Sequence, residues 1–288
     1  MTRSSDVEPE AAPEASIDVR FVGHATTLVT LGGVRVLTDP FLRTRLGALE
    51  RHGTIPDPAT LEADVVVISH GHPDHFDRRS LDALPGRPVL VVPKGLGSAA
   101  RLIAGVGPVV EVSAGETLDV DGLRIEAVPA RHWISPGAPR AKPLGYVLEG
   151  RAPGPGPGTS GRRVYFAGDT GRFRAMASVA AGVDLALLPV WTWGPHLGPG
   201  HLGPRGAAAV AVELAPRAVV PIHWGTLYPR HLHRVWRRPL VRPGERFAEL
   251  VRAADPSIAV HVLRPGEEAH LDLASHPLPR SGLPSKVR

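Results

Sequence analysis

The sequence predicts an α+β sandwich in which mixed sheets are covered by helices. Two patterns carry this expectation. Short alternating or wholly apolar runs rich in Val, Ile and Leu crowd the first half of the chain, and similar runs alternate with helical stretches in the second. A third observation is that several of these runs stop abruptly at a His or an Asp, where an ordinary strand would pass into a Gly/Pro turn.

Taken in order, residues 1–16 are acidic and Pro/Ala-rich and are expected to lie outside the folded unit as a leader. Ile17 to Val22 alternates as a half-buried strand does. Gly23-His24-Ala25 turns it into Thr26 to Leu31, and Gly32-Gly33 turns that into Val34 to Leu37, an antiparallel meander closed by Thr38-Asp39-Pro40. Residues 41–63 lack periodicity and read as a surface loop. A buried strand over 64–69 follows, then a short helix at 78–83, a strand at 89–92 and a helix at 97–104. Strands are expected at 109–112, 123–128, 144–148 and 164–167, the last two joined across the Gly/Pro repeat 153–158, which reads as a hairpin loop. A helix at 172–181, a strand at 184–190 and a Gly/Pro/Trp/His loop at 191–204 come next. They are followed by an Ala-rich helix at 205–214, a strand at 218–222, a basic loop, a helix at 245–253 and a strand at 258–263. The folded unit is expected over 17–271, with a Pro-containing tail over 272–288.

Composition narrows the chemistry. The 288 residues suffice for one large α/β domain, and 43% hydrophobic with 21% charged residues is ordinary for a globular protein. No apolar run approaches the ~20 residues of a membrane span. The first residues lack a basic-then-apolar signal layout, so cytoplasmic residence is the expectation. With no cysteine, disulfides, thiol catalysis and thiolate ligands are excluded, and any metal must be held by nitrogen and oxygen. A formal charge of +5 favours anionic partners mildly and does not by itself call for nucleic acid.

The organising stretch is Val65-Val66-Val67-Ile68-Ser69-His70-Gly71-His72-Pro73-Asp74-His75. A buried strand that ends in three imidazoles and a carboxylate leaves them without partners unless a cation joins them. Neutral His nitrogens and carboxylates are ligands that zinc accepts. The same event recurs at His132, Asp169 and His223, each following an apolar run. Singly these are turn or capping residues; with the first cluster they outline one site at a sheet edge. Asp39 can orient a ligand imidazole, and His24 can line the site. His201, in the Trp-rich 191–204 loop with His196, can reach a substrate phosphate or leaving oxygen. The basic stretch 230–238 reads as a solvated face. Gly198-Pro199-Gly200-His201-Leu202-Gly203 spells G-x-G-x-x-G without the strand-to-helix context a dinucleotide site needs. G-x-S-x-G and Walker sequences are absent.

The order H-x-H-x-D-H, distant His, Gly-Asp-Thr and final His is similar to the metal signature of the metallo-β-lactamase superfamily, over Ile17 to Leu263. Val22-Gly23-His24-Ala25-Thr26, Leu37-Thr38-Asp39-Pro40, Gly168-Asp169-Thr170-Gly171 and His223-Trp224-Gly225-Thr226 resemble one branch of it. That branch holds N-acyl-phosphatidylethanolamine phospholipase D and the ascorbate-6-phosphate lactonase-like proteins. The resemblance implies a four-layer αββα sandwich and two Zn2+ ions, with Fe or Mn as chemically compatible occupants. It implies His70, His72 and His132 on one metal, Asp74, His75 and His223 on the other, and Asp169 bridging. Asp74, Asp169 and His201 are the expected catalytic residues. The implied activity is hydrolysis of a small anionic ester, phosphodiester or phosphate-bearing lactone, including lipid-derived ones. Two other readings stand beside it: a nuclease of the same superfamily, which the lack of room for a nucleic-acid-clamping insertion argues against, and a metal-stabilised binding protein without turnover.

Overall fold

Ile17, Val19 and Phe21 turn inwards and Asp18 and Arg20 outwards along the first strand, the alternation a half-buried strand requires. The computed structural model describes residues 16–135, 141–150, 161–194 and 196–273. Of the expected 1–16 leader, residues 1–15 lie outside them and Ser16 begins the first strand; the 153–158 repeat and the chain beyond 273 also lie outside. The strands β1 (Ser16–Gly23), β2 (Thr26–Leu31) and β3 (Val34–Thr38) form the expected antiparallel meander. After β4 (Arg45–Leu46) and β5 (Leu49–Arg51), β6 (Val65–Val67) lies parallel to β3. Helix α1 (Arg78–Asp82), β7 (Val89–Pro93), α2 (Gly97–Ala100) and β8 (Val109–Val112) complete this half. The sheet order is β17-β1-β2-β3-β6-β7-β8, where β17 (Glu268–Asp272) closes on β1 with Ser16 opposite Asp272.

The second sheet begins with the antiparallel strands β9 (Thr117–Val120), β10 (Leu123–Pro129), β11 (Leu144–Gly150) and β12 (Arg163–Phe166). It continues in parallel through β13 (Leu185–Pro189), β14 (Ala218–Ile222) and β16 (Ala259–Val260). Helices α3 (Met176–Val179), α4 (Pro204–Leu214), α5 (Arg238–Val241) and α6 (Pro243–Ala254) accompany it.

The two sheets face each other. Val65, Val67 and Val91 of the first meet a core shared with Ile125, Tyr146, Leu148, Phe166 and Leu187 of the second. Their neighbours Val66, Ile68, Leu90 and Val92 point the other way, into a second core under Leu81 of α1 and Ala100 of α2. On the far side, Ala207, Val210 and Ala211 of α4 and Phe247 and Val251 of α6 cover the second sheet. The result is the expected four-layer sandwich. No helix among the described residues is long and apolar enough to cross a membrane.

Residues 41–63 differ from the expected surface loop. They contain β4 and β5, which join β15 (Leu227–Pro229) in a three-stranded sheet, and Phe41 and Leu61 are fully buried. Arg51, 7% exposed, explains how so aperiodic a stretch is held: its guanidinium donates to the carbonyls of Phe41, Arg43 and Val22. Burial pushes its pKa down to about 10, and the guanidinium stays charged at neutral pH. The helices expected at 97–104 and 172–181 shrink to Gly97–Ala100 and Met176–Val179, and the strand at 258–263 to Ala259–Val260. Replacing Arg51 with Met takes the guanidinium donor from the carbonyls of Phe41, Arg43 and Val22. The expected loss is about 2–4 kcal/mol of unfolding free energy, read from denaturant melts; an unchanged midpoint contradicts this role for Arg51.

Candidate metal centre

Strands β1, β3 and β6 run in one direction, and β10, β12 and β14 share a common direction in the second sheet. Their C-terminal ends bring His24, Asp39, His70, His132, Asp169 and His223 to one edge of the sandwich. There, seven imidazoles (His24, His70, His72, His75, His132, His201 and His223) and the carboxylates of Asp39, Asp74 and Asp169 interdigitate. All seven sequence-predicted ligand positions meet in this cluster.

Two groups can be separated by geometry. His70 Nε2 lies 2.9 Å, and His132 Nε2 3.1 Å, from His72 Nδ1. Across the site, His75 Nε2 is 3.3 Å from His223 Nε2 and 3.6 Å from Asp74 Oδ2. Asp169 lies between the groups: Oδ1 is 3.1 Å from His223 Nε2, while Oδ2 is 3.3 Å from His75 Nε2 and 3.9 Å from His132 Nε2. Despite these neighbours, Asp169 Oδ1 is buried without a hydrogen bond of acceptable geometry.

The outward ring nitrogens fix the tautomers. His132 Nδ1 faces the Gly200 carbonyl at 3.1 Å and His223 Nδ1 the Trp191 carbonyl at 2.9 Å. Carbonyls only accept, so both Nδ1 atoms carry the proton. His75 Nδ1 donates to Asp39 Oδ2 at 2.7 Å. Ser69 Oγ gives its proton to Asp39 and so accepts from His70 Nδ1 at 2.9 Å. Four imidazoles thus turn Nε2 inwards, the orientation a metal site needs. His72 is the exception, because the Ser135 amide donates to its Nε2 at 3.0 Å. Loading an ion onto His72 Nδ1 requires the other tautomer and release of that amide. Inward ring nitrogens and an orphaned carboxylate oxygen fit divalent cations held by nitrogen and oxygen.

Backbone strain is concentrated here. His24 and His223 both have φ of 60° and Asp39 has 33°, left-handed values unusual for residues other than Gly. The two histidine turns clasp each other: the His223 amide donates to the His24 carbonyl at 2.7 Å, and the His24 amide to Thr226 Oγ1 at 2.7 Å. Gly23 is needed for this approach, since a Cβ there would lie 2.8 Å from Arg51 Nη1 and 2.9 Å from Thr226 Oγ1.

His24 and Asp39, expected only to support the site, are integral to it. His24 Nε2 lies 3.0 Å from Asp74 Oδ2, and its ring centroid lies 3.9 Å from that of His223, the planes tilted by 42°. His201 Nε2 reaches Asp169 Oδ2 at 3.3 Å, and its Nδ1 faces the Gly198 carbonyl at 3.3 Å. His196 is not brought in; it is exposed, 6.0 Å from the Trp236 ring. Sequence reasoning missed Ser69, although it lies inside the organising stretch, and missed the carbonyls of Trp191 and Gly200, which no side-chain pattern announces.

Among protein groups alone, burial, reinforced by His223, pushes His24 down to about 3, and burial pushes His132 down to about 4. Burial likewise lowers His70 and His72. Burial opposes the charge on His75, but the surrounding Asp169, Asp74 and Asp39 outweigh it and hold the imidazole well above its usual range. His201 is raised, its burial outweighed by the hydrogen bond to Asp169. Burial alone would raise Asp74 and Asp169, yet the facing imidazoles hold both below the usual carboxylate range.

These directions set a pH dependence. Between pH 6.5 and 4 the unfolded chain takes up protons that native His24 and His132 refuse, so their contribution to stability is lost as pH falls. The raised groups, His75 and His201, are already protonated in both states below 6.5 and do not offset this. Chelator-treated protein is expected to lose at least about 5 °C in Tm between pH 6.5 and 4; a flat or rising Tm contradicts these assignments.

Comparison with known proteins agrees with this geometry. The profile of the Beta-lactamase superfamily domain matches residues 34–224. A UPF0173 metal-dependent hydrolase of Thermus thermophilus is 33% identical over 260 residues, covering 89% of this chain and all of that protein. One of Thermococcus onnurineus is 32% identical over 256 residues, covering 87% and 98%. Among solved structures, the metallo hydrolase Igni18 of Ignicoccus hospitalis superposes with a TM-score of 0.65 at 23% identity, over 89% of this chain and 98% of that one. An isothiocyanate hydrolase from Delia radicum gut bacteria does so with 0.64 at 16%, over 88% and 98%; both share the fold. A strand-edge cluster of histidines and aspartates on a four-layer sandwich, with relatives this similar along their whole length, places the chain in the metallo-β-lactamase superfamily, among its UPF0173 metal-dependent hydrolases.

Proposed function

We propose that the chain is a dinuclear hydrolase of phosphodiesters or phosphate-bearing esters and lactones. His70, His72 and His132 would hold one ion and Asp74, His75 and His223 the other, with Asp169 between them. The supporting observation is the inward convergence of ring nitrogens from four separate strand ends around a carboxylate oxygen that has no hydrogen bond. Zinc suits the nitrogen and oxygen donors, and iron or manganese is compatible with them. Bound there, such ions lower the pKa of a captured water and offset negative charge that develops on the substrate.

The remaining work falls to the chain's own groups. Asp74, kept ionised by its imidazole neighbours, is placed to accept a hydrogen bond from the attacking water and aim it. Asp39 and Ser69 hold His75 and His70 in the tautomers that leave Nε2 free. His201 stands on the loop before α4 with its Nε2 turned towards the centre, where a proton can be given to a leaving oxygen.

The experiment is turnover of bis(p-nitrophenyl) phosphate beside simple lactones, with metal content measured on the same samples. His72→Ala and Asp169→Ala are each expected to lower activity by more than about 100-fold together with a loss of bound metal. Full metal content in both variants removes the ligand assignment, and silence of the wild type across the panel removes the hydrolase reading. His201→Ala is expected to lower kcat by about 10²-fold or more at unchanged metal content, as loss of a proton donor does. Unaltered steady-state kinetics in this variant exclude His201 from the reaction.

A further inference from the structure

Two large cavities open on the described surface, and their charges differ. One, of about 1070 Å3, lies beside Trp224 and α6 and is lined by Arg237, Arg252 and Arg264 but also by Glu245, Glu249 and Glu267. Its charges balance. The other, of about 840 Å3, lies where the ends of β7, β8 and β10 meet the start of β11, and carries Lys94, Arg131 and Lys142 with no Asp or Glu in its lining. None of these three side chains has an ion-pair or hydrogen-bond partner among the described residues, although Arg35, Arg43 and Arg101 elsewhere on the surface are paired. Nearby Glu111 is already engaged, accepting from the Gly95 and Gly97 amides and meeting Arg101.

This second cavity adjoins the metal centre at His132 and Gly200. His132 lines it through its backbone, while its imidazole, 2% exposed, turns away towards Asp169. Gly200 lines it too, and its carbonyl orients His132 Nδ1. The Gly200 backbone packs directly on the segment that carries His132: a Cβ on Gly200 would come within 3.1 Å of the Trp133 nitrogen and 3.3 Å of His132 Cα. Trp133, 57% exposed, adds an apolar surface to the same lining. Three unpaired cations around one concavity raise the local positive potential, and a multiply charged anion gains most from it.

We propose that this cavity is an anion subsite that takes the phosphate monoester group of a ligand whose other end reaches the metal centre. Lys94, Arg131 and Lys142 meet the phosphate oxygens, and Trp133 packs on the intervening carbon skeleton. This deepens the hydrolase reading and rests on it, because it says which part of the substrate stays unreacted and where that part is held.

The test is calorimetric titration of the full-length, metal-loaded protein with phenyl phosphate and, in parallel, with benzyl alcohol. Lys94, Arg131 and Lys142 are exposed, so their replacement does not disturb the core. Lys94→Ala combined with Lys142→Ala is expected to weaken phenyl phosphate binding at least about 10-fold, with metal content unchanged, the benzyl alcohol response unchanged and the difference reduced in 1 M salt. Arg131→Ala is expected to weaken it in the same sense. Phenyl phosphate affinity that is the same in the wild type and the double variant overturns the proposal, because the phosphate then sits on the metals or elsewhere. An equal loss for benzyl alcohol overturns it as well. Failure of the hydrolase reading shows separately, as absent ester turnover by a wild type whose phenyl phosphate binding still depends on Lys94 and Lys142.

Discussion

The carboxylate of Asp39 ties the end of β3 to the end of β6 and sets the chemistry of both. One oxygen accepts from the Ser69 amide at 2.6 Å; the other meets the Ser69 hydroxyl and His75 Nδ1. Through Ser69 the same carboxylate governs His70, whose Nδ1 faces that hydroxyl. Two imidazoles of the cluster are therefore oriented by a single side chain that is itself completely buried. A strand pairing and a ligand tautomer are here the same hydrogen-bond network, and the parallel register of β3 on β6 is what brings its members together.

That arrangement is held against strain. Asp39, His24 and His223 occupy left-handed backbone conformations that cost on the order of 1–3 kcal/mol each, and they do so next to a crowd of buried ionisable groups. What holds them is reciprocal. The His24 and His223 turns bond each other through main-chain atoms, Thr226 caps the first, and Arg51 bridges the Val22 carbonyl to the Phe41 segment. The aperiodic residues after Asp39 thus earn their burial as the brace of the site.

How far the sequence disclosed this varies with the kind of signal. Strands such as Val65–Val67 and Ala218–Ile222 are visible because a wholly apolar, β-branched run has few other places to go. Ligand positions are visible because His and Asp at the ends of such runs contradict their surroundings. The β4, β5 and β15 sheet is invisible, since its strands are two or three residues long and the burial of Phe41 depends on a distant arginine. Strand β17 escapes notice for a related reason: of its five residues only Leu271 is buried, and its place is set by the edge of β1. The carbonyls that orient His132 and His223 leave no trace in side-chain pattern at all, and the cavity beside His132 draws its three cations from segments far apart in the chain.

The pairing of β1 with β17 has a topological consequence. Strand β1 runs from Ser16 towards the His24 turn, and Asp272 lies opposite Ser16, so both extremities of the sandwich emerge side by side at the rim farthest from the histidines. A partner module or affinity handle joined at either extremity is therefore attached at the opposite end of the strand from the His24 turn.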